Sequence, residues 1–169
     1  MLSSAHKIVF ATNNLNKLKE VQHKLGNRFK LVTPSDLGYY NDIPEDYETL
    51  EENALQKVRF IHERFHTDCF ADDTGLEVDI LNGAPGVYSA RYAGNHKNSL
   101  DNIQKLLINL KGIANREAQF RTVISLIYKD KEYSFEGIVR GKLIETPRGS
   151  DGFGYDPIFV PNGFDMTFA

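Results

Sequence analysis

Apolar positions along this chain fall alternately into short unbroken runs and helical stripes. Ile8-Val9-Phe10-Ala11 is unbroken, the pattern of a strand covered on both faces. Leu15, Leu18, Val21 and Leu25 then recur at helical spacing, with Asn13 or Asn14 placed to cap the start and Gly26 to stop the end. Phe29 to Val32 reads as the next strand. The strongest helical signal follows. Thr49-Leu50-Glu51-Glu52 has the capping-box form, with Thr49 as N-cap and Glu52 reaching back, and Leu50, Ala54, Val58, Ile61 and Phe65 share one face. Cys69-Phe70-Ala71 predicts a short buried strand ending at Asp72-Asp73, and Gly83-Ala84-Pro85-Gly86 is rich in turn formers. Ile103, Leu106, Leu107 and Leu110 mark a third helix that stops at Gly112. Phe120 to Lys129 and Glu132 to Ile144 read as two long strands joined by a hairpin at Asp130-Lys131. A loop rich in Pro and Gly, from Pro147 to Pro157, leads into Ile158-Phe159-Val160. The sum is an α/β fold with a mixed sheet: one domain over residues 1–169, in two lobes, with no linker between them.

Composition narrows the choice of function. The chain has 169 residues, 41% of them hydrophobic, which is enough apolar side chain for a core. A net charge of −3 argues against a strongly basic nucleic-acid or membrane-surface binder, yet leaves room for a local anion pocket. Cys69 is the single cysteine, so neither an internal disulfide nor a cysteine zinc site is expected. No run approaches the roughly 20 apolar residues that cross a bilayer. Met1 to Lys7 is too polar and too short for a secretory leader, so the cytoplasm is the expected setting.

Four stretches carry candidate chemistry. Thr12-Asn13-Asn14-Leu15-Asn16-Lys17 lies where a buried strand feeds a helix, and the unpaired amides and dipole of a helix start favour anions. Thr12 adds a hydroxyl, the asparagines add amide donors and Lys17 a cation, which makes a phosphate cradle without the glycines of a nucleotide fingerprint. Simple capping with a solvated lysine explains the same residues. The acidic run Asp42, Glu45, Asp46, Glu48, Glu51, Glu52 suits a helix N-terminus. Glu45 differs, because it follows Pro44 in a loop from which a side chain can turn inward. Asn53 and Lys57, four apart, share a helical face and line either a polar pocket or solvent. Asp72-Asp73-Thr74-Gly75 puts two carboxylates at a strand end, where α/β folds bind ligands. Alternation points them opposite ways, and one of them suits a hard cation such as Mg²⁺. An aspartate turn satisfied by its own backbone is the other reading. In Gly152-Phe153-Gly154-Tyr155-Asp156-Pro157, Phe153 and Tyr155 offer flat faces for a base and Asp156 an acceptor for its edge. His62-Glu63-Arg64-Phe65-His66 matches the helical zinc-hydrolase pattern, but Phe65 sits on the apolar stripe and the helix ends at His66. Solvated helix-end histidines account for it.

In order, Phe10 to Lys17, Glu45 with Thr49 to Lys57, Ala71 to Leu76, Gly83 to Tyr92 and Gly152 to Pro157 resemble the inosine triphosphate pyrophosphatase family, the Ham1/RdgB-like non-canonical purine NTP pyrophosphatases. The resemblance implies Mg²⁺-dependent hydrolysis of ITP, dITP and XTP to the monophosphate and pyrophosphate. Thr12, Asn13, Asn14 and Lys17 would bind the triphosphate with help from Lys57. Glu45 and Asp73 would hold Mg²⁺, and Asp73 would also activate water. Asp72 and Thr74 would complete the site, and Phe153, Gly154, Tyr155 and Asp156 would hold the base. It further implies a homodimer whose subunit has a long central sheet flanked by helices, with a cleft between two lobes. The family pattern continues beyond Phe164 to Ala169 into a helical segment with a Lys and a Ser-His-Arg motif that helps read the purine, and the sequence given ends at Ala169. A chain that binds nucleotides but is inactive or unselective is the alternative expectation.

Overall fold

The apolar run at the N-terminus becomes strand β1 (His6–Phe10) in a computed structural model that describes residues 6–169. Met1 to Ala5, most of the polar segment set against a secretory leader, lie outside the described residues. β1 pairs in parallel with β2 (Phe29–Val32), with His6 opposite Phe29 and Val9 opposite Val32. Parallel neighbours need a crossover, which α1 (Leu15–Leu25) supplies. Of the two candidate caps, Asn14 takes the position, accepting from the amides of Asn16 and Lys17 at 2.9 and 3.2 Å. Leu18, Val21 and Leu25 are half-buried, but Leu15 is 66% exposed. The packed stripe of α1 therefore begins one turn later than its periodicity suggests, the first turn being given to the cap.

Helix α2 (Leu50–Phe65) follows the expected boundaries closely, and Leu50, Ala54, Val58 and Ile61 are all buried. Thr49 caps it by accepting from the Glu52 amide at 3.2 Å. Glu52 reaches back to the Thr49 hydroxyl, which donates to its carboxylate at 2.8 Å, rather than to the backbone amide of the usual capping box.

The largest departure from the periodicity is β3. It does not stop at the aspartates but runs ten residues, Cys69–Val78. Its first part is parallel to β1, with Val9 opposite Cys69 and Phe10 opposite Phe70. Its last part is antiparallel to the short β4 (Pro85–Gly86). Asp and Gly disfavour strands, but tertiary partners override that preference here. Asp72 is held by a lysine, and a Cβ at Gly75 would stand 2.5 Å from the Gly86 carbonyl oxygen. Only glycine permits that approach.

Helix α3 (Ser99–Asn109), capped by Asn98, precedes β5 (Glu117–Tyr128), β6 (Lys131–Leu143) and β7 (Phe159–Pro161). The β5–β6 hairpin turns on Lys129-Asp130, one residue earlier than expected, and both have positive φ (51° and 58°). Two such residues make the primed turn whose twist matches paired strands. The chain is a mixed α/β fold with a central seven-stranded sheet of order β2-β1-β3-β5-β6-β7, β4 lying beside β3. No helix among the described residues is long and apolar enough to cross a membrane.

Two compact units divide the chain. The first holds the chain up to Asp73 with Val123–Phe135, around a core of Val9, Ala11, Ile43, Val58, Ile61, Cys69, Ala71 and Ile127. The second holds Thr74–Thr122 with Glu136–Ala169, around Leu76, Val78, Ile103, Leu106, Leu110, Tyr155, Ile158 and Phe159. Cys69 lies inside the first core, its thiol donating to the Val58 carbonyl at 3.3 Å, and burial pushes the thiol pKa up to about 12. A thiol reagent at pH 8 should therefore label Cys69 at least about 100-fold faster in urea than in buffer, since the thiolate is the reactive form. Ile61→Ala should lower the unfolding free energy by about 3 kcal/mol in urea titration.

Candidate active site

Two helices meet β3 from its two sides, because successive strand residues face opposite ways. Cys69 and Ala71 point into the core that contains Val58 and Ile61 of α2, so Asp73 shares that face. Phe70 points the other way and stacks on Phe10 at 4.4 Å, and Asp72 shares its side. The partners follow this parity. Asp72 receives the Lys17 ammonium of α1 at 2.5 Å, and Asp73 lies 3.7 Å from the Lys57 ammonium of α2. The aspartates sit two and three residues past the β1–β3 pairing, beyond the end of β1.

Lys57 is buried, with 7% of its side chain exposed, and it also donates to Glu45 at 2.6 Å. Glu45 is half-buried, while Asp42, Asp46, Glu48, Glu51 and Glu52 are exposed. Glu45 is thus the member of the acidic run that turns inward, and Asn53 and Lys57 are buried against polar partners rather than solvated. Burial alone would lower the pKa of Lys57, but Asp73 and Glu45 outweigh it and the ammonium is held above its ordinary value. Burial also pushes the Asp73 carboxyl above the usual range. Lys57 opposes that rise, and the nearby Glu45 carboxylate adds to it.

At the start of α1, the Asn14 side chain is committed to the amides of Asn16 and Lys17. The Thr12 hydroxyl accepts from the Asn14 amide at 3.1 Å, and Asn13 donates to the Asn41 carbonyl at 3.2 Å. The capacity of this corner for an anion rests on Lys17 and side-chain donors more than on bare helix amides.

In the second unit, the Thr74 and Thr122 hydroxyls share a hydrogen bond of 2.9 Å. Tyr155 is 4% exposed and its hydroxyl donates to the Ser89 carbonyl at 2.9 Å, so its ring belongs to the core and is no open stacking face. Phe153 is half-buried. The Asp156 carboxylate accepts from the Phe153 amide at 2.8 Å and would collide with a Cβ at Gly152. The zinc-like pattern is taken apart by its own helix end. His66 leaves the helix in the left-handed region (φ 49°), and His62 donates from Nδ1 to the Thr67 carbonyl at 2.8 Å.

Sequence reasoning passed over Gln56, which binds both the amide and the carboxylate of Asp46. Its helical spacing beside Asn53 and Lys57 was the available signal.

Three carboxylates interleaved with two lysines beside a parallel strand pair form a charged cluster in an α/β protein. Residues 8–169 match the Ham1 family, and the chain belongs to it. It is 52% identical over 163 residues to a dITP/XTP pyrophosphatase of Flavobacterium johnsoniae, covering 96% of this chain and 85% of the relative. The Staphylococcus aureus Ham1 protein superposes with a TM-score of 0.85 at 40% identity, over 96% of this chain and 85% of that one. A HAM1 protein from Coxiella burnetii gives 0.86 at 36%, over 97% and 86%.

Because folding raises the Asp73 pKa, its contribution to stability is full below the ordinary carboxylate range and is lost as pH rises through the raised value. In chelator, Asp73→Asn should therefore melt above the wild type at pH 7, with the gap shrinking or reversing at pH 4. An equal gap at both pH values would contradict the raised pKa.

Proposed function

We propose that this chain hydrolyses non-canonical purine nucleoside triphosphates (ITP, dITP and XTP) to the monophosphate and pyrophosphate. The observation that carries this reading is the convergence of Glu45 and Asp73 on one buried lysine, with Asp72 meeting Lys17 on the opposite face of the same strand. The name printed for its Flavobacterium relative, dITP/XTP pyrophosphatase, supplies the substrate class.

The donor set suits Mg²⁺. Among the described residues no group of three or more His, Cys, Asp or Glu forms a metal cage. Mg²⁺ is commonly held by one or two carboxylates together with substrate phosphates, which is what Glu45 and Asp73 offer. Three carboxylates against two ammonium groups leave one net negative charge. When bound, the ion neutralises phosphate charge and lowers the pKa of water.

The protein groups have separate tasks. Lys17, with Thr12, Asn13 and Asn14, binds the polyphosphate, and Asp72 holds the Lys17 side chain in place before substrate arrives. Lys57 holds Glu45 and Asp73 together and lends positive charge to the phosphates. Asp73 takes a proton from the attacking water, a role suited to a carboxylate whose proton affinity is raised. Water adds across the α–β anhydride, which yields the monophosphate and pyrophosphate. In the second unit, Phe153 and Gly154 are assigned to the base, with Tyr155 and Asp156 fixing the loop that carries them and Thr74 completing the site. We assign the homodimer on the family resemblance, and sedimentation of the purified protein tests it.

Pyrophosphate release should be much faster from dITP and XTP than from ATP, and should stop in excess chelator. Asp73→Asn should reduce kcat by about 10³-fold. Lys17→Ala should act mainly on KM. Equal turnover of ATP, or near-normal activity of Asp73→Asn, would overturn the assignment.

A further inference from the structure

One face of α2 grips the preceding loop residue by residue, in reverse order. Lys57 holds Glu45 at 2.6 Å. Gln56 accepts from the Asp46 amide at 2.9 Å and donates to its carboxylate at 2.6 Å. Asn53 accepts from the Tyr47 amide at 2.9 Å and donates to the Tyr47 carbonyl at 3.1 Å. On the far side of Glu45, Ile43 is anchored in the core.

A helix start already capped by Thr49 does not need these bonds. What they oppose is the outward swing of a loop in which Asp42, Glu45, Asp46 and Glu48 repel one another. Asn53 is 1% exposed and its side chain also opposes the rise in the Asp73 pKa, so one buried amide acts on both the loop that carries Glu45 and the carboxylate opposite it.

We infer that Asn53 and Gln56 are positioning residues: they template the Glu45–Tyr47 loop on α2 so that Glu45 is presented to Asp73 across Lys57. The inference rests on the function proposed above and adds to it two residues that hold the loop beside Glu45 rather than the substrate. Groups that orient metal-binding carboxylates typically matter by 10- to 100-fold.

The test joins amide exchange in metal-free protein with steady-state kinetics on dITP and Mg²⁺. Gln56→Ala should speed exchange at Asp46 at least about tenfold, and Asn53→Ala, which removes the acceptor of the Tyr47 amide, should do so at Tyr47. Each should lower kcat about 10- to 100-fold while KM for dITP stays within about threefold, because the α1 corner is untouched. Asn53→Gln should not rescue, since its amide reaches one carbon too far. A merely structural role would instead lower Tm and speed exchange along all of α2, with kcat unchanged below the melt. That result, or unchanged protection at Asp46 and Tyr47, overturns the inference. Should Asn53→Ala fail to fold, half-buried Gln56 carries the test alone. A wild type that turns over no purine triphosphate would sink the enzymatic reading, while the exchange data would still decide whether the two side chains hold the loop.

Discussion

An ammonium group sealed from water inside a protein is tolerated only in company, and Lys57 has two carboxylates for company. The three partners come from three places: a loop, a helix and the middle of a strand. Each pins the others. Removing Lys57 would leave Glu45 and Asp73 facing each other in a partly desolvated corner, and removing either acid would weaken the case for a buried lysine. The arrangement is therefore a constraint on the backbone as much as a charge pair. It requires α2 to lie across β3 with one particular rotation, and it requires the acidic loop to fold back onto its own helix.

Strand alternation turns this single cluster into a two-sided device. Adjacent residues of β3 serve different helices, so the lysine of α1 and the lysine of α2 are each compensated without competing for one acid. The dry cores on either side set the geometry. Phe10 stacked on Phe70 fixes one face, and Val58 and Ile61 against Cys69 and Ala71 fix the other. Excess negative charge is what remains. It costs stability in isolation, as a cluster of like charges does in any fold.

How much of this could be read beforehand divides along physical lines. Helix α2 was legible to its ends, since capping and apolar period agree at Thr49 and along Leu50 to Ile61. The parallel start of the sheet was legible as well, from unbroken apolar runs. β3 was not, because Asp-Asp-Thr-Gly carries every local mark of a strand end, and only contacts distant in sequence keep it extended. The hairpin was placed one residue late, as Lys129 gives no sign that it will adopt positive φ. Among site residues, Glu45 and the aspartates stood out as charges in unusual company. The burial of Lys57 had no local signal, for a helical lysine beside an apolar stripe looks the same in solvent. Tyr155 misled in the opposite direction: an aromatic in a glycine loop suggests an open platform, whereas its hydroxyl had a partner waiting at Ser89.

The reversed grip of α2 on its own leader also limits what length changes this region can absorb. One residue inserted between Asn53 and Lys57 would rotate everything after it by about 100° and carry the lysine off the shared face, since an α-helix has 3.6 residues per turn. The exposed stretch around Tyr40 and Asn41 is under no such rule, because its neighbours are anchored on either side of it. Natural variation in chain length should therefore collect before Ile43 and vanish between Glu45 and Lys57, so that a gap in that interval would mark a descendant that has given up this chemistry.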